Sequence, residues 1–165
     1  MKLRYAAVAS GLIVARLLPA QVSPRLADAA AVRTAQSTYQ DVEAALKRRQ
    51  LTRRDTTVQC PPDSLEARGS VYRDRRQLVR RLDTEGGTED HVEKVVTYFD
   101  TLERARFTFA QRGAVNGTHQ EERVYYDEHG RVVRRMVRQT HGPGYPFDTL
   151  STVPRLATWI RDLCG

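Results

Sequence analysis

From Leu65 to about Gln139 the chain is a succession of short runs rich in Val, Tyr, Phe, Thr and Arg, separated by brief polar turns. None of these connections is long enough to hold a crossover helix. Parallel neighbours need a crossover of a dozen or more residues, so the runs must pair antiparallel, most simply as a meander. The pattern predicts six strands, at about 66–73, 77–84, 91–99, 105–112, 119–127 and 131–139. The connections are Asp74-Arg75-Arg76, the Glu85-Gly86-Gly87 loop, residues 100–104, the stretch around Asn116-Gly117, and Glu128-His129-Gly130. Asn-Gly, and a glycine after a short polar turn, supply the positive φ that tight hairpins need. Arginines intrude on both faces, as in Leu78-Val79-Arg80-Arg81-Leu82 and Val132-Val133-Arg134-Arg135-Met136. An arginine stem lies over apolar surface while its head stays in water, which suits a sheet covered on one face and open on the other.

Helical periodicity flanks the strands. Val32, Ala35, Tyr39, Val42 and Leu46 recur at spacings of three and four, and Lys47, Arg48 and Arg49 follow where cations suit the helix dipole. Residues 50–64 read as a connector, since Pro61-Pro62 forbids regular structure. Near the other end Leu156, Trp159, Ile160 and Leu163 form one stripe, which predicts a helix over about 152–163 with Pro154 in its first turn. The expected fold is therefore α+β: a six-stranded antiparallel meander with an N-terminal and a C-terminal helix packed on one face.

A length of 165 residues fits one domain. The start, Met-Lys-Leu-Arg, is basic, and Tyr5 to Ala15 carries no charge, a run too short to span a bilayer. Small-residue sites follow at Leu18-Pro19-Ala20 and Ala27-Asp28-Ala29. Residues 1–29 thus read as a signal peptide cut after residue 20 or 29, and 30–165 as a single exported domain, periplasmic or extracellular. No later stretch is apolar enough to cross a membrane. Without residues 1–20, which hold Lys2, Arg4 and Arg16, the formal charge falls from +7 to +4. That is a mildly basic domain, rich in arginine, whose charge persists at any physiological pH.

Two cysteines remain, Cys60 and Cys164. Export favours a disulfide between them, with two free thiols or catalytic thiols as the alternatives; neither residue belongs to a Cys-x-x-Cys pair. Closing a loop of about 100 residues would stabilise the fold by roughly 4–5 kcal/mol in the chain-entropy model.

One phrase repeats. Val71-Tyr72-Arg73-Asp74 leads to Gln77-Leu78-Val79-Arg80, Thr97-Tyr98-Phe99-Asp100 to Ala105-Arg106-Phe107-Thr108-Phe109, and Val124-Tyr125-Tyr126-Asp127 to Arg131-Val132-Val133-Arg134. Over residues 66–139 this resembles the hairpins of uncharacterised small exported bacterial proteins with recurring Tyr-Tyr/Phe-Asp-x-x-Gly-x-Leu units. The resemblance implies a meander and carries no activity. The first two units lack the turn glycine.

Groups that carry chemistry are present without the spacings that chemistry needs. His91, His119, His129 and His141 form no H-E-x-x-H, although His119, Glu121 and a histidine across the sheet would make a conceivable metal site. Ser64, Ser70 and Ser151 lack a nucleophile context, and Glu89-Asp90 and Glu121-Glu122 are sequence neighbours that a strand would turn to opposite faces. Gly86-Gly87 and Gly142-Pro143-Gly144 lack the setting of a phosphate loop, and no nucleic-acid recognition motif occurs. Asn116-Gly117-Thr118 matches a glycosylation sequon that a turn also explains. No catalytic residue, metal ligand or cofactor is expected. The expectation is a non-enzymatic binding or interaction module whose open sheet face, or loops at 85–90 and 113–118, meets an unknown protein or acidic envelope component. One alternative is a small hydrolase or metal-dependent enzyme with a site assembled from distant residues. Another is a binder of acidic envelope polymer or lipid headgroups through Arg73, Arg75, Arg76, Arg80 and Arg81.

Overall fold

A computed structural model describes residues 24–60, 65–148, 150 and 156. The expected leader, as far as an expected cut after Ala20, lies outside the described residues, as do Cys164 and all but Leu156 of the expected helix at 152–163. The elements run α1 (Pro24–Lys47), β1 (Thr52–Cys60), β2 (Leu65–Arg73), β3 (Val79–Gly87), β4 (His91–Phe99), β5 (Ala105–Ala114), β6 (His119–Tyr126) and β7 (Val132–His141). The strands form one antiparallel sheet in the order β1 to β7. No helix among the described residues is long and apolar enough to cross a membrane.

The meander is as expected, but the strand count and the helices are not. A seventh strand, β1, occupies what reads in the sequence as a connector. It pairs with β2 over its whole length, from Thr52↔Arg73 to Cys60↔Leu65. Its apolar periodicity is missing because β1 is an edge strand that buries little; residues 52–55 are all exposed. Backbone pairing with β2 holds it, and its charged side chains blunt the open edge.

The second correction concerns the faces. One helix, α1, is present among the described residues, and the sheet carries a hydrophobic core on each side instead of one covered face. On the first side Ala35 and Val42 of α1 pack with Tyr98 and Phe107, flanked by Leu46, Leu51, Val96, Phe109 and Tyr125. The next row, Leu82↔Thr97↔Thr108↔Val124, points the other way because successive strand residues alternate. There Val71, Val79, Leu82, Phe99, Ala105, Val124 and Tyr126 form a second core, against which Leu150 and Leu156 pack. Helix α1 also begins earlier than Val32, at Pro24, a residue suited to a first turn. Ala29, the alternative position expected for a cut, therefore falls inside it. At its other end Arg49 takes φ 55°, and the Gln50 amide reaches Ala45 O at 2.9 Å, closing the helix.

The repeated phrase is a repeated structure. In each unit a register shift follows the tyrosine, between Tyr72/Arg73, Tyr98/Phe99 and Tyr125/Tyr126. It separates a tyrosine on the helix side from the residue that follows. The aspartate then locks the turn. Asp74 Oδ1 accepts from the amides of Arg76 and Leu78, Asp100 Oδ1 from Leu102 and Arg104, and Asp127 Oδ1 from His129 and Arg131. Three residues after each aspartate the backbone is left-handed, at Gln77 (φ 65°), Glu103 (φ 56°) and Gly130 (φ 76°). The first two units keep the turn although they lack its glycine.

Candidate functional site

The residues singled out for chemistry are dispersed. His91 contacts Tyr145 and Phe147, with its Nδ1 2.9 Å from Thr88 Oγ1. His119 and His141 do face each other across β6 and β7, with ring centroids 6.1 Å apart. Glu121, the third member of that imagined site, is instead bonded to Arg123 at 3.0 Å. No group of three or more His, Cys, Asp or Glu able to hold a metal occurs among the described residues. His129 is exposed in the β6–β7 turn. Ser70 donates to Asp55 at 2.6 Å, and Ser64 and Ser151 lie outside the described residues. Asn116 spans its turn, accepting from Thr118 N and donating to Gly144 O.

Sequence reasoning missed a buried charge cluster on the second face. Arg112 is 3 % exposed and Glu122 1 %. Arg112 Nη1 donates to Glu122 Oε2 at 2.7 Å and to Gln120 Oε1 at 3.1 Å, and its Nε donates to Glu93. Arg135 stands 3.2 Å from Glu122 Oε1 and donates to Leu150 O at 2.6 Å. Burial works against the charge on Arg112, but Glu93 and Glu122 outweigh it and raise the guanidinium above its ordinary value. Arg112 Nη2 and Glu122 Oε1 are buried without a hydrogen bond; the nearby Arg135 supplies Oε1 with charge but not with bonding geometry. The cluster joins β4, β5, β6 and β7 to the segment at Leu150. Its two innermost members are nearly fully buried, and its contacts tie that face together.

The five arginines proposed as an anionic-partner patch divide. Arg80 and Arg81 lie between Val79 and Leu82, which both belong to the second core, because the register shift beside Tyr72/Arg73 interrupts the alternation there. Arg80 lies 3.7 Å from Asp74 Oδ2 and donates to Phe99 O. Arg81 is gripped by both oxygens of Asp83, at 2.5 and 2.8 Å, and by Glu43 at 2.8 Å, between the rings of Tyr72 and Tyr98. Tyr98 also donates to Glu43 at 2.8 Å, and burial together with that carboxylate pushes its phenol above the ordinary value. Both arginines are occupied by the fold.

Arg73, Arg75 and Arg76 remain, and the topology gives them company. Thr52 pairs with Arg73 and donates to its carbonyl at 3.3 Å, so the α1–β1 connector leaves the sheet beside the β2–β3 turn. That connector brings Lys47, Arg48 and Arg49, all exposed. Asp74 is the one carboxylate in the β2–β3 turn, and it is directed at backbone amides and Arg80. Arg73 donates to Gln77 O and Arg48 to Gln50, but no ion pair engages these six cations among the described residues. Elsewhere most arginines find carboxylates, as Arg53 does with Asp55, Arg68 with Glu66, Arg104 and Arg106 with Asp100, Arg123 with Glu121, and Arg131 with Asp127. Arg33, Arg54, Arg134 and Arg138 are exposed without an ion pair among the described residues, but are not gathered at one corner. The corner formed by Lys47, Arg48, Arg49, Arg73, Arg75 and Arg76 is the candidate site. Lys47-Arg48-Arg49 is visible in the sequence as a basic run; only the register shows which turn lies beside it.

Comparison of the chain with protein-family models, with curated proteins and with solved structures finds no match.

Proposed function

We propose that this protein is an exported binding module that holds a polyanionic component of the cell envelope at the corner built from the α1–β1 connector and the β2–β3 turn. The observation that carries the reading is six cations on adjacent segments with no ion-pair partner among the described residues, where most of the other arginines are ion-paired. Charges left unmatched by the fold create a positive potential that attracts a polyanion and speeds its association. Arginine adds a planar donor fork that engages phosphate, sulfate or carboxylate with two bonds at once. Export rests on the basic start, the apolar stretch and the small-residue sites of the sequence. A disulfide between Cys60 and Cys164 belongs to the same proposal; no free cysteine occurs among the described residues, and Cys60 closes β1. Reductant then lowers the melting temperature of the wild type and leaves that of a Cys60→Ala/Cys164→Ala variant unchanged.

The binding reading is tested by titrating the protein with dextran sulfate in a calorimeter at increasing salt. Affinity is expected to fall steeply with salt and to drop in an Arg49→Ser/Arg75→Ser/Arg76→Ser variant of unchanged melting temperature. Equal affinity in the variant and the wild type refutes the assignment of the corner.

A further inference from the structure

The β2–β3, β4–β5 and β6–β7 turns all leave the sheet at the same end as the cationic corner, because the meander reverses at that end every second strand. They are three copies of one aspartate-locked turn. The second residue after the aspartate gives its amide to the carboxylate, and its side chain is exposed. That position holds Arg76, Leu102 and His129. Leu102 is 68 % exposed at the apex of the middle turn, with an arginine-bearing turn on either side. Arg104 and Arg131 at this end are ion-paired with Asp100 and Asp127 and add little net charge, and Val132, next to Arg131, is a second exposed apolar residue. The three turn aspartates are taken up by their own amides and by Arg80, Arg104, Arg106 and Arg131, and the exposed carboxylate at this end is Glu128, beside His129 in the β6–β7 turn. The opposite end differs: its β3–β4 loop presents Glu89 and Asp90, both exposed and with no ion pair among the described residues.

We infer that the polyanion is the surface of an anionic lipid bilayer, met end-on by the three turns, with Leu102 entering the headgroup–acyl boundary. This rests on the polyanion-binding reading of the same corner and narrows it. A soluble acidic polymer gains nothing from an apolar side chain held at the tip of a rigid turn. A bilayer gains from both parts, the cations attracting anionic headgroups and the leucine leaving water. The acidic loop at the far end is repelled by the same surface, which fixes the orientation.

The experiment measures co-sedimentation of the protein, in the form recovered from cells, with two sets of vesicles. One is phosphatidylcholine alone, the other phosphatidylcholine with phosphatidylglycerol; dextran sulfate titrations run in parallel. The expected result is salt-sensitive binding to the anionic vesicles only. Replacing Arg75 and Arg76 with serine lowers partition about fivefold for each residue. Leu102→Ser lowers it about tenfold and leaves dextran sulfate affinity unchanged. Leu102→Trp retains binding and shifts its added fluorescence to the blue on anionic vesicles alone. If Leu102→Ser binds vesicles as the wild type does, or the Leu102→Trp emission does not shift, the bilayer inference fails. Dextran sulfate binding that still depends on the arginines then leaves the polyanion reading standing, with a soluble polymer as the ligand. If neither vesicles nor dextran sulfate is bound, both readings fall.

Discussion

Arg112 lies 3 % exposed among Glu93, Gln120 and Glu122, whereas Arg76 stands in solvent with no ion-pair partner among the described residues. The two residues have the same chemistry, one within a strand and the other in the turn between two strands of the same sheet. What separates them is register. Glu93↔Arg112↔Gln120 is one row across β4, β5 and β6, so the two strands flanking β5 deliver polar side chains to its one guanidinium. The β2–β3 turn lies where α1 ends and β1 begins, and both neighbours bring further cations. A buried charge must be matched or the fold loses more than it gains; an exposed charge need not be. The buried arginine therefore reports on folding and the exposed one on encounter with a partner.

The largest effect expected from breaking this contrast is at Glu122. Glu122→Ala leaves Arg112 with Glu93 as its remaining carboxylate and opens a buried gap beside it, lowering unfolding free energy in denaturant by about 3–5 kcal/mol. An Arg112→Met/Glu122→Leu pair regains most of that loss; an equal loss in the pair shows that packing, not charge, holds the face. Next is Asp100. Burial works to raise its carboxyl, but the amides of Arg104 and Leu102 and the guanidinium groups of Arg106 and Arg104 prevail and hold it below its ordinary value. A lowered carboxylate stabilises the fold above its unfolded pKa, near 3.9, and that contribution is lost as pH falls toward the folded value. Asp127 is lowered by similar partners. Melting temperature is thus expected to drop as pH falls below about 4, and Asp100→Asn flattens that acid limb. At neutral pH the same variant costs about 2 kcal/mol.

A smaller effect, of the opposite sign, is expected at the first turn. Gln77 holds φ 65° where the third unit has glycine, so Gln77→Gly raises stability by about 0.5–1 kcal/mol. Glu103→Gly gives no such gain, since its carboxylate also accepts from Val79 N at 2.7 Å. The smallest effect is at the corner, where Arg75→Ser/Arg76→Ser changes unfolding free energy by no more than about 0.5 kcal/mol. A large loss there makes these arginines part of the fold and removes the contrast.

Much of the architecture is legible in the residues. Polar turns too short for crossovers dictate an antiparallel meander, and the Tyr-x-Asp phrase marks each turn that an aspartate locks. Strand β1 was illegible because Thr52–Cys60 has little to bury, and periodicity reports burial rather than hydrogen bonding. The second hydrophobic core was illegible for a related reason. Arginines on both faces look like solvated positions until a structure shows that Arg81 and Arg112 are matched by Glu43, Asp83, Glu93 and Glu122. The candidate site was half legible, since Arg73, Arg75 and Arg76 stand out as a basic turn and Lys47-Arg48-Arg49 as a basic helix end.

The sequence by itself determined the strand direction, the turn positions and the supply of arginine, because these depend on neighbours a few residues apart. The tertiary structure alone decided which arginines are spent on the fold and which are left over. Ion pairing acts between side chains a few ångströms apart, and those here join residues up to 38 positions distant in the chain, as with Glu43 and Arg81. No local pattern encodes such a distance. It follows only once register has set one strand beside another.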